Sequence, residues 1–225
     1  MSGVEEMIAS IRAEAKSAAP WTGTATIGER VLEVMAAVPR HEFVPAALRH
    51  AAYEDHPLSI GHGQTISQPY IVALMTDLLE LNDDDVVLDV GTGSGYQAAV
   101  LSRLVKQVYG LENVAALANE AQQRLRQLGY DNVEVIWGNG FNGLLQHAPY
   151  DAIVVAAAPE TVPEALIEQL APGGRLVIPV GDRYYGQDLK LVRKGHDGKV
   201  SSKSILPVAF VPLIDGMVGD ATLPA

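Results

Sequence analysis

Three glycines between a strand-like and a helix-like segment are spaced to hold a ligand against bare backbone. The apolar run VVLDV is typical of a buried strand, and YQAAVLSRLV has the periodicity of a helix. Because residues without a Cβ atom leave the N–H groups of a helix start accessible, a ligand can lie directly on such a turn. A tight turn without a ligand is the alternative. The turn reads Gly91-Thr92-Gly93-Ser94-Gly95.

An acidic side chain is expected beside this turn. Glu112 ends the next strand-like run, QVYGLE, and in a parallel sheet the tip of that strand lies next to the glycine turn. A carboxylate in that position can accept hydrogen bonds from both hydroxyls of a ribose. The alternative role for Glu112 is to cap the helix that starts at Asn113.

The glycine spacing favours S-adenosylmethionine over a dinucleotide. In the dinucleotide fingerprint G-x-G-x-x-G, the third glycine comes three residues after the second, but Tyr96 occupies that position and Gly95 comes one residue earlier. The third strand-like run, VEVIWG, is followed by Asn139 and Gly140. A polar side chain at this strand tip could meet the edge of an adenine ring.

Ser67 is the serine of the polar segment GHGQTISQPY, which contains no acidic residue that could complete a hydrolytic triad. The apolar run IVALMTDLLEL follows it and predicts a helix from Ser67 to Leu81. Pro69 would then lie in the first turn, and Ser67 would be the N-cap. On spacing alone, capping is favoured over a role in catalysis.

The elements that must position these residues form two blocks. An amphipathic helix is predicted over residues 4–17, and the capping-box spacing of Thr26 and Glu29 predicts a second helix. After these helices, short apolar runs alternate with helical segments, which indicates a parallel sheet covered on both faces. Asp197-Gly198 lies between two strand-like runs and predicts an antiparallel hairpin. The pattern indicates a doubly wound α/β fold with an N-terminal helical cover and an antiparallel C-terminal end.

A single domain is expected, because 225 residues with 48% hydrophobic content suffice for one sizeable core. Within residues 1–225, we expect a helical cover at 1–81, the α/β core at 82–215 and a loose tail at 216–225. The opening MSGVEEMIAS lacks the basic and apolar regions of a signal peptide. A cytoplasmic protein is therefore expected.

The charge and cysteine content exclude several classes of function. The formal net charge is -11, from 16 basic and 27 acidic residues, and would repel nucleic acid and anionic membrane surfaces. The chain has no cysteine, so disulfides, thiolate metal sites and cysteine nucleophiles are ruled out. The histidines show no metal-ligand spacing, and no metal is expected.

The sequence resembles the protein-L-isoaspartate O-methyltransferases, which repair isoaspartyl peptide bonds. IGHGQTISQPY is specific to that family, whereas most class I methyltransferases share the glycine turn. The similar segments are VPRHEFVP (38–45), AYEDHPLSIGHGQTISQPYIVALMTDLLEL (52–81), VLDVGTGSGYQAAVLS (87–102), YDAIVVAAAPETVPEALIEQLAPGGRLVIPVG (150–181) and FVPL (210–213).

The resemblance implies a Rossmann-like class I methyltransferase fold with seven strands. It also implies S-adenosylmethionine as methyl donor, S-adenosylhomocysteine as product and an L-isoaspartyl or D-aspartyl residue of a peptide as acceptor. We expect a monomer. Ser67 would be the active-site serine, in contact with acceptor and cofactor. The cofactor would also contact Gly91, Thr92, Gly93, Gly95, Glu112, Asn139 and Gly140. The substrate would contact Ile60, Gly61 and Gln64 in a closing loop at 58–64, and Val211 and Pro212 beside the groove.

Two positions depart from the family pattern. Gly138-Asn139-Gly140 stands where the family usually has G-D-G, and Ala156 stands where it often has threonine. An amide oxygen accepts a hydrogen bond more weakly than a carboxylate. We therefore expect Asn139→Asp to tighten cofactor binding by roughly 1 kcal/mol.

A serine without a partner base suffices for this reaction. The acceptor carboxylate has a pKa of about 4 and is already ionised at neutral pH, so Ser67 only has to orient it. Two other functions stay open. Asn139 and Ala156 are compatible with a non-catalytic cofactor- or peptide-binding protein, and the same catalytic residues would serve a methyltransferase for another peptide or small-molecule carboxylate.

Overall fold

The computed structural model describes residues 3–182 and 184–219. The α-helices are α1 Gly3–Thr22, α2 Glu29–Ala37, α3 Pro69–Leu78, α4 Tyr96–Ser102, α5 Ala115–Gln127 and α6 Glu164–Glu168. Short 3-10 helices span Arg40–Phe43, Ala46–Ala51, Gly140–Asn142 and Leu145–His147. The strands are β1 Leu58–Gly61, β2 Gln64–Ile66, β3 Val86–Val90, β4 Gln107–Glu112, β5 Val133–Trp137, β6 Tyr150–Val155, β7 Leu170–Asp182, β8 Gly186–Lys194 and β9 Val200–Val208.

The large sheet has the strand order β5-β4-β3-β6-β7-β8-β9. Strands β3 to β7 are parallel, and β8 is antiparallel to both of its neighbours. The chain builds outward from β3 through β4 and β5 and then returns to the other side of β3 at β6. This reversal opens a crevice at the carboxyl ends of β3 and β6, where doubly wound sheets bind ligands. The predicted fold class is confirmed.

Each face of the sheet carries its own buried cluster. Val87 of β3 belongs to a cluster with Met7 of the N-terminal cover, whereas the next residue, Leu88, belongs to one with Leu166 of α6. Successive strand residues point to opposite faces. The central strand is therefore covered on both sides, which explains its almost unbroken apolar sequence.

The N-terminal cover was expected to be helical apart from the closing loop at 58–64, but it also contains two strands. Strands β1 and β2 form a separate antiparallel hairpin that includes the expected loop. His62 and Gly63 make its turn, both with positive φ. Strands of three and four residues that are rich in glycine and polar side chains give too weak an alternating pattern to be predicted.

The two helix starts expected in this region are capped differently from the sequence patterns. The predicted capping box at Thr26 is wrong, because the N-cap of α2 is Gly28 and no side chain forms a capping hydrogen bond there. The Gly28 N–H donates to Asp77 Oδ1 of α3 at 3.0 Å. The helix start is thus stabilised by a distant residue.

Ser67 is not the N-cap of α3, which begins at Pro69 after the N-cap Gln68. The carboxylate of Asp55 takes the capping role, since it accepts hydrogen bonds from the Tyr70 N–H and from Gln68 Nε2, both at 2.9 Å. The Ser67 hydroxyl is therefore not needed to cap the helix.

The C-terminal hairpin predicted at Asp197-Gly198 is confirmed, as it joins β8 and β9. Part of the tail expected to be loose is instead bound to the core. The N–H of Val218 donates to the Asn113 oxygen at 2.7 Å, and the Val218 oxygen accepts from the Ala115 N–H at 3.0 Å. Residues 220–225 of that tail lie outside the described residues. Over the described ranges, none of the helices is long and apolar enough to span a membrane.

Candidate active site

The glycine turn lies between β3 and α4 with a backbone that side chains rarely adopt. Gly93 and Gly95 have φ angles of 55° and 91°. A Cβ atom on Gly95 would lie 3.1 Å from Leu125 Cδ1 of α5, and one on Gly93 would lie 3.2 Å from Ile60 Cδ1 of β1. The glycines therefore let both α5 and the β1–β2 hairpin approach the turn closely.

Glu112 connects the turn to the tip of β4. Its Oε2 accepts a hydrogen bond from the Gly93 N–H at 2.8 Å, and its Oε1 accepts one from the Val114 N–H at 2.9 Å. Burial raises the pKa of Glu112, and these N–H groups oppose the rise. Each carboxylate oxygen has two lone pairs. One remains on each oxygen, as two ribose hydroxyls would require.

Thr92 and Asp89 lie within this strand-to-turn segment. Thr92 Oγ1 donates to the backbone oxygen of Asp89 at 3.0 Å, so the threonine hydroxyl is bonded to its own turn. The Asp89 carboxylate is fully buried, and neither of its oxygens has a hydrogen-bond partner among the described residues. Burial raises the pKa of Asp89 to about 7; the nearby Thr92 hydroxyl opposes the rise, and the charge of Glu112 adds to it. Asp89 is not among the residues predicted from sequence, although an acidic residue inside an apolar strand is a usable signal.

A cavity of about 40 Å³ lies between the glycine turn and the segments that cover it. Its lining includes Gly91, Gly93, Glu112, Gln64 of β2 and the segment 211–214. Pockets for small molecules usually measure about 300–1,000 Å³. The cavity at the glycine turn is therefore smaller than a typical nucleoside pocket.

At the tip of β5, Gly140 lines this cavity and Asn139 bonds to its neighbours. Asn139 Oδ1 accepts from the Phe141 N–H at 3.0 Å, and its Nδ2 donates to Asp215 Oδ1 at 2.7 Å. Both ends of the amide thus have local partners. A Cβ atom on Gly140 would lie 2.7 Å from Val90 Cγ1, so the backbone passes close to the end of β3.

Ser67 lies between β2 and α3, and a buried arginine holds its backbone. Arg40 Nη2 donates to the Ser67 oxygen at 2.7 Å, and Arg40 Nε donates to the Ala52 oxygen at 2.8 Å. The guanidinium carbon lies 4.7 Å from the centre of the Tyr96 ring, in the first turn of α4. Arg40 therefore connects the serine to the helix that follows the glycine turn. The sequence signal that could have identified Arg40 is a charged residue within the apolar segment VPRHEFVP.

A larger groove of about 650 Å³ lies on the Ser67 side. Its walls come from α1, from the β2–α3 junction and from the segment after β9. The residues that line it are Glu14, Ser17, Ala18, Trp21, Pro57, Thr65, Ser67, Gln68, Tyr70, Ile71, Ala156, Leu206, Pro207, Val208, Ala209, Phe210 and Val211.

The groove and the smaller cavity share a wall. Thr65, Ala156 and Val211 line both of them. Ser67 lines the groove and Glu112 lines the cavity, so a ligand in one compartment would meet a ligand in the other across this shared wall. Ser67, expected to contact both acceptor and cofactor, lines the groove and not the smaller cavity.

The residues expected to bind substrate divide between the two compartments. Val211 lines both, whereas Gln64 and Pro212 line the cavity by the glycine turn and not the groove. Ile60 packs against Gly93. The exposed Gly61 donates from its N–H to Ser59 Oγ at 3.4 Å. The described residues contain no group of three or more His, Asp or Glu side chains that could hold a metal ion.

Comparison with known proteins identifies the family. The family model described as protein-L-isoaspartate(D-aspartate) O-methyltransferase matches residues 23–218. A protein-L-isoaspartate O-methyltransferase 2 of Syntrophobacter fumaroxidans is 54% identical over 211 residues, which cover 94% of this chain and 85% of that protein. A second such protein, from Polaromonas sp., is 56% identical over 207 residues, or 92% of this chain and 98% of that protein.

Two solved structures are similar over nearly the whole chain. A protein-L-isoaspartate O-methyltransferase superposes with a TM-score of 0.82 at 26% identity, covering 96% of this chain and 67% of that one. A putative protein-L-isoaspartate O-methyltransferase from Plasmodium falciparum, in complex with S-adenosylhomocysteine, gives a TM-score of 0.77 at 25% identity and covers 93% and 97%. The chain therefore belongs to the protein-L-isoaspartate(D-aspartate) O-methyltransferase family.

Proposed function

We propose that this enzyme transfers the methyl group of S-adenosylmethionine to the free carboxylate of L-isoaspartyl or D-aspartyl residues in damaged proteins and so initiates their repair. The observation that carries the proposal is the wall of Thr65, Ala156 and Val211 that the two compartments share. A donor held at Glu112 and an acceptor held at Ser67 would then lie on either side of these three residues.

The residues around the glycine turn suit the cofactor. Glu112 would accept hydrogen bonds from the ribose, and Gly91, Gly93 and Gly95 would leave room for the methionine part along the backbone. The carboxylate of Glu112, which lines the cavity, favours a cationic ligand at the turn. S-adenosylmethionine supplies there an electrophilic methyl group on a positively charged sulfur and leaves as S-adenosylhomocysteine.

Ser67 would orient the acceptor. The substrate carboxylate is ionised at neutral pH, with a pKa of about 4, so no base has to remove a proton. The Ser67 hydroxyl can donate a hydrogen bond to the oxygen that does not attack, which fixes the direction of the other oxygen. Such positioning can lower the activation free energy by roughly 7–11 kcal/mol.

Arg40 would act on the reaction through Ser67. It is completely buried, and its two hydrogen bonds fix the Ser67 carbonyl relative to the segment around Ala52. Its guanidinium also packs on Tyr96, which begins α4. Arg40 is thus a positioning residue, which fixes the segment at Ser67 relative to the helix that follows the glycine turn.

The direct test is methyl transfer from labelled S-adenosylmethionine to three samples: an isoaspartyl peptide, the same peptide with normal aspartate, and no peptide. We expect label in the isoaspartyl peptide alone. Equal labelling of both peptides would refute the proposal, as would binding of the isoaspartyl peptide without any transfer at high enzyme concentration.

We also propose that the enzyme acts as a monomer in the cytoplasm. The lack of cysteine removes any need for an oxidising compartment. Light scattering of the purified enzyme and fractionation of its native cells test these two points, and a dimer or an exported protein would contradict them.

A further inference from the structure

The wall of the acceptor groove includes a helix that precedes the region matched by the family model. Helix α1 ends at Thr22, and the family match begins at residue 23. Glu14 and Trp21 of this helix nevertheless line the groove. None of the other described residues that line it is charged. This part of the groove therefore comes from a helix outside residues 23–218, which the family model matches.

Glu14 gives the groove its charge. Among the described residues that line the groove, it alone carries a formal charge. The carboxylate is exposed and makes no ion pair or hydrogen bond within the described part of the chain. It lies close enough to Tyr70 to help raise the pKa of that phenol to about 12, after the larger effect of burial. A free negative charge thus lies at the groove wall.

Two aromatic residues of the groove lining add to this feature. Tyr70 has a buried hydroxyl without a hydrogen-bond partner in the described ranges. Trp21 is 60% exposed, an unusual state for so large an apolar side chain. A lysine or arginine side chain can bond to a carboxylate through its several N–H groups and can pack on an indole ring.

From this arrangement we infer that Glu14 selects isoaspartyl substrates with a lysine or arginine close to the damaged residue. The inference rests on the proposed function and adds a preference for sequence context to it. The isoaspartyl carboxylate would lie at Ser67, and the cationic side chain would lie against α1. Acidic neighbours would be disfavoured, both by Glu14 and by the formal net charge of -11.

The experiment compares kcat/KM for isoaspartyl peptides in which each of the three positions on either side carries Lys, Ala or Glu in turn. We expect one or two positions at which Lys exceeds Glu by about two- to fivefold, the range for an exposed ion pair. Glu14→Lys should invert the order at those positions. The effect should decrease with added salt.

Glu6→Lys is the matched control, because it makes the same charge change on the exposed surface of the same helix. Residues 6 and 14 are about 12 Å apart along the helix axis. We expect the control to keep the preference of the unmodified enzyme. An unchanged order in Glu14→Lys, or an equal change in Glu6→Lys, would overturn the inference while the proposed function stands. If none of the isoaspartyl peptides were methylated, the proposed function would fail first.

Discussion

Asn139 of the β5 tip donates a hydrogen bond to Asp215 of the C-terminal segment at 2.7 Å. The family usually has an aspartate at the position of Asn139. In this chain a carboxylate lies beside that position, but it belongs to Asp215, 76 residues later. The amide is therefore matched to its partner, and the departure from the family pattern has a structural reason.

This pairing reverses the effect expected from sequence for Asn139→Asp. The new carboxylate would face that of Asp215 at hydrogen-bond distance, and we expect weaker binding of S-adenosylmethionine, by roughly 1 kcal/mol, in titration calorimetry. Asp215→Asn in the same chain should restore affinity, because the amide and the carboxylate have exchanged places. A coupling energy near zero in this double-mutant cycle, or tighter binding by the single variant, would contradict the prediction.

Ser67→Ala should lower kcat by about tenfold or more, since a hydrogen bond to a charged group contributes roughly 1.5–3 kcal/mol. Affinity for S-adenosylmethionine should change little, because Ser67 lines the groove and not the cavity at the glycine turn. The thermal midpoint should also stay the same, because Ser67 does not cap α3.

Asp55→Ala is the contrasting variant for Ser67. It removes the acceptor for the Tyr70 N–H and for Gln68 Nε2, so α3 should lose about 1 kcal/mol of stability. If Ser67→Ala lowered the melting temperature like Asp55→Ala and left kcat intact, the serine would have only a structural role.

Glu112→Gln should weaken S-adenosylmethionine binding by roughly 1.5–3 kcal/mol. The amide has one acceptor oxygen in place of two, and its NH2 group would face an N–H group of either Gly93 or Val114. The glycine turn should therefore loosen as well, which thermal unfolding without cofactor would detect. Glu120→Gln, at an exposed position of α5, is the control and should leave both quantities unchanged. Unaltered affinity in Glu112→Gln would remove Glu112 from the site.

Arg40→Lys should destabilise the enzyme and lower kcat together. One ammonium group cannot replace a guanidinium that donates to both Ala52 and Ser67 and lies over the Tyr96 ring. A loss of about 2–4 kcal/mol in denaturant unfolding is expected for a buried charge with unmatched partners. Arg126→Lys, at an exposed position of α5, should have no such effect. Full kcat in a folded Arg40→Lys enzyme would show that Ser67 needs no fixed carbonyl.

The parts of the site that the sequence predicted are determined by local patterns. The glycine turn lies within one strand-turn-helix segment, and Glu112 ends the strand that directly follows it along the chain. In a parallel sheet, neighbouring strands in sequence place their carboxyl ends side by side, so the closeness of Gly93 and Glu112 follows from topology alone. The fold class could be predicted for the same reason.

The contacts that could not be predicted join residues far apart in sequence. Asp55, which precedes α3 in another segment, accepts the capping hydrogen bond from Tyr70. Asp215 contacts the β5 tip although it lies 76 residues after Asn139 in the sequence. Helix α1 was predictable as amphipathic, but nothing in its sequence showed that Glu14 would line a groove together with the end of β9. Such contacts depend on how the covering segments pack against the completed sheet, which no local sequence pattern determines.

Asp89 should make the stability of the cofactor-free enzyme depend on pH. Its pKa of about 7 in the folded chain exceeds the usual value for aspartate, about 4, because the carboxylate is buried without a partner. The folded state therefore holds a proton that the unfolded state releases between these values. The contribution of Asp89 to stability is greatest at low pH and is lost as the pH rises through 7.

Asp89→Asn imitates the protonated form. Relative to the unmodified enzyme, its free energy of unfolding should therefore increase by on the order of 2–4 kcal/mol between pH 5 and pH 8 in denaturant unfolding. Asp84→Asn, at an exposed position, should follow the unmodified enzyme at every pH. Parallel curves for Asp89→Asn and the unmodified enzyme would mean that the buried carboxylate is already paired in solution.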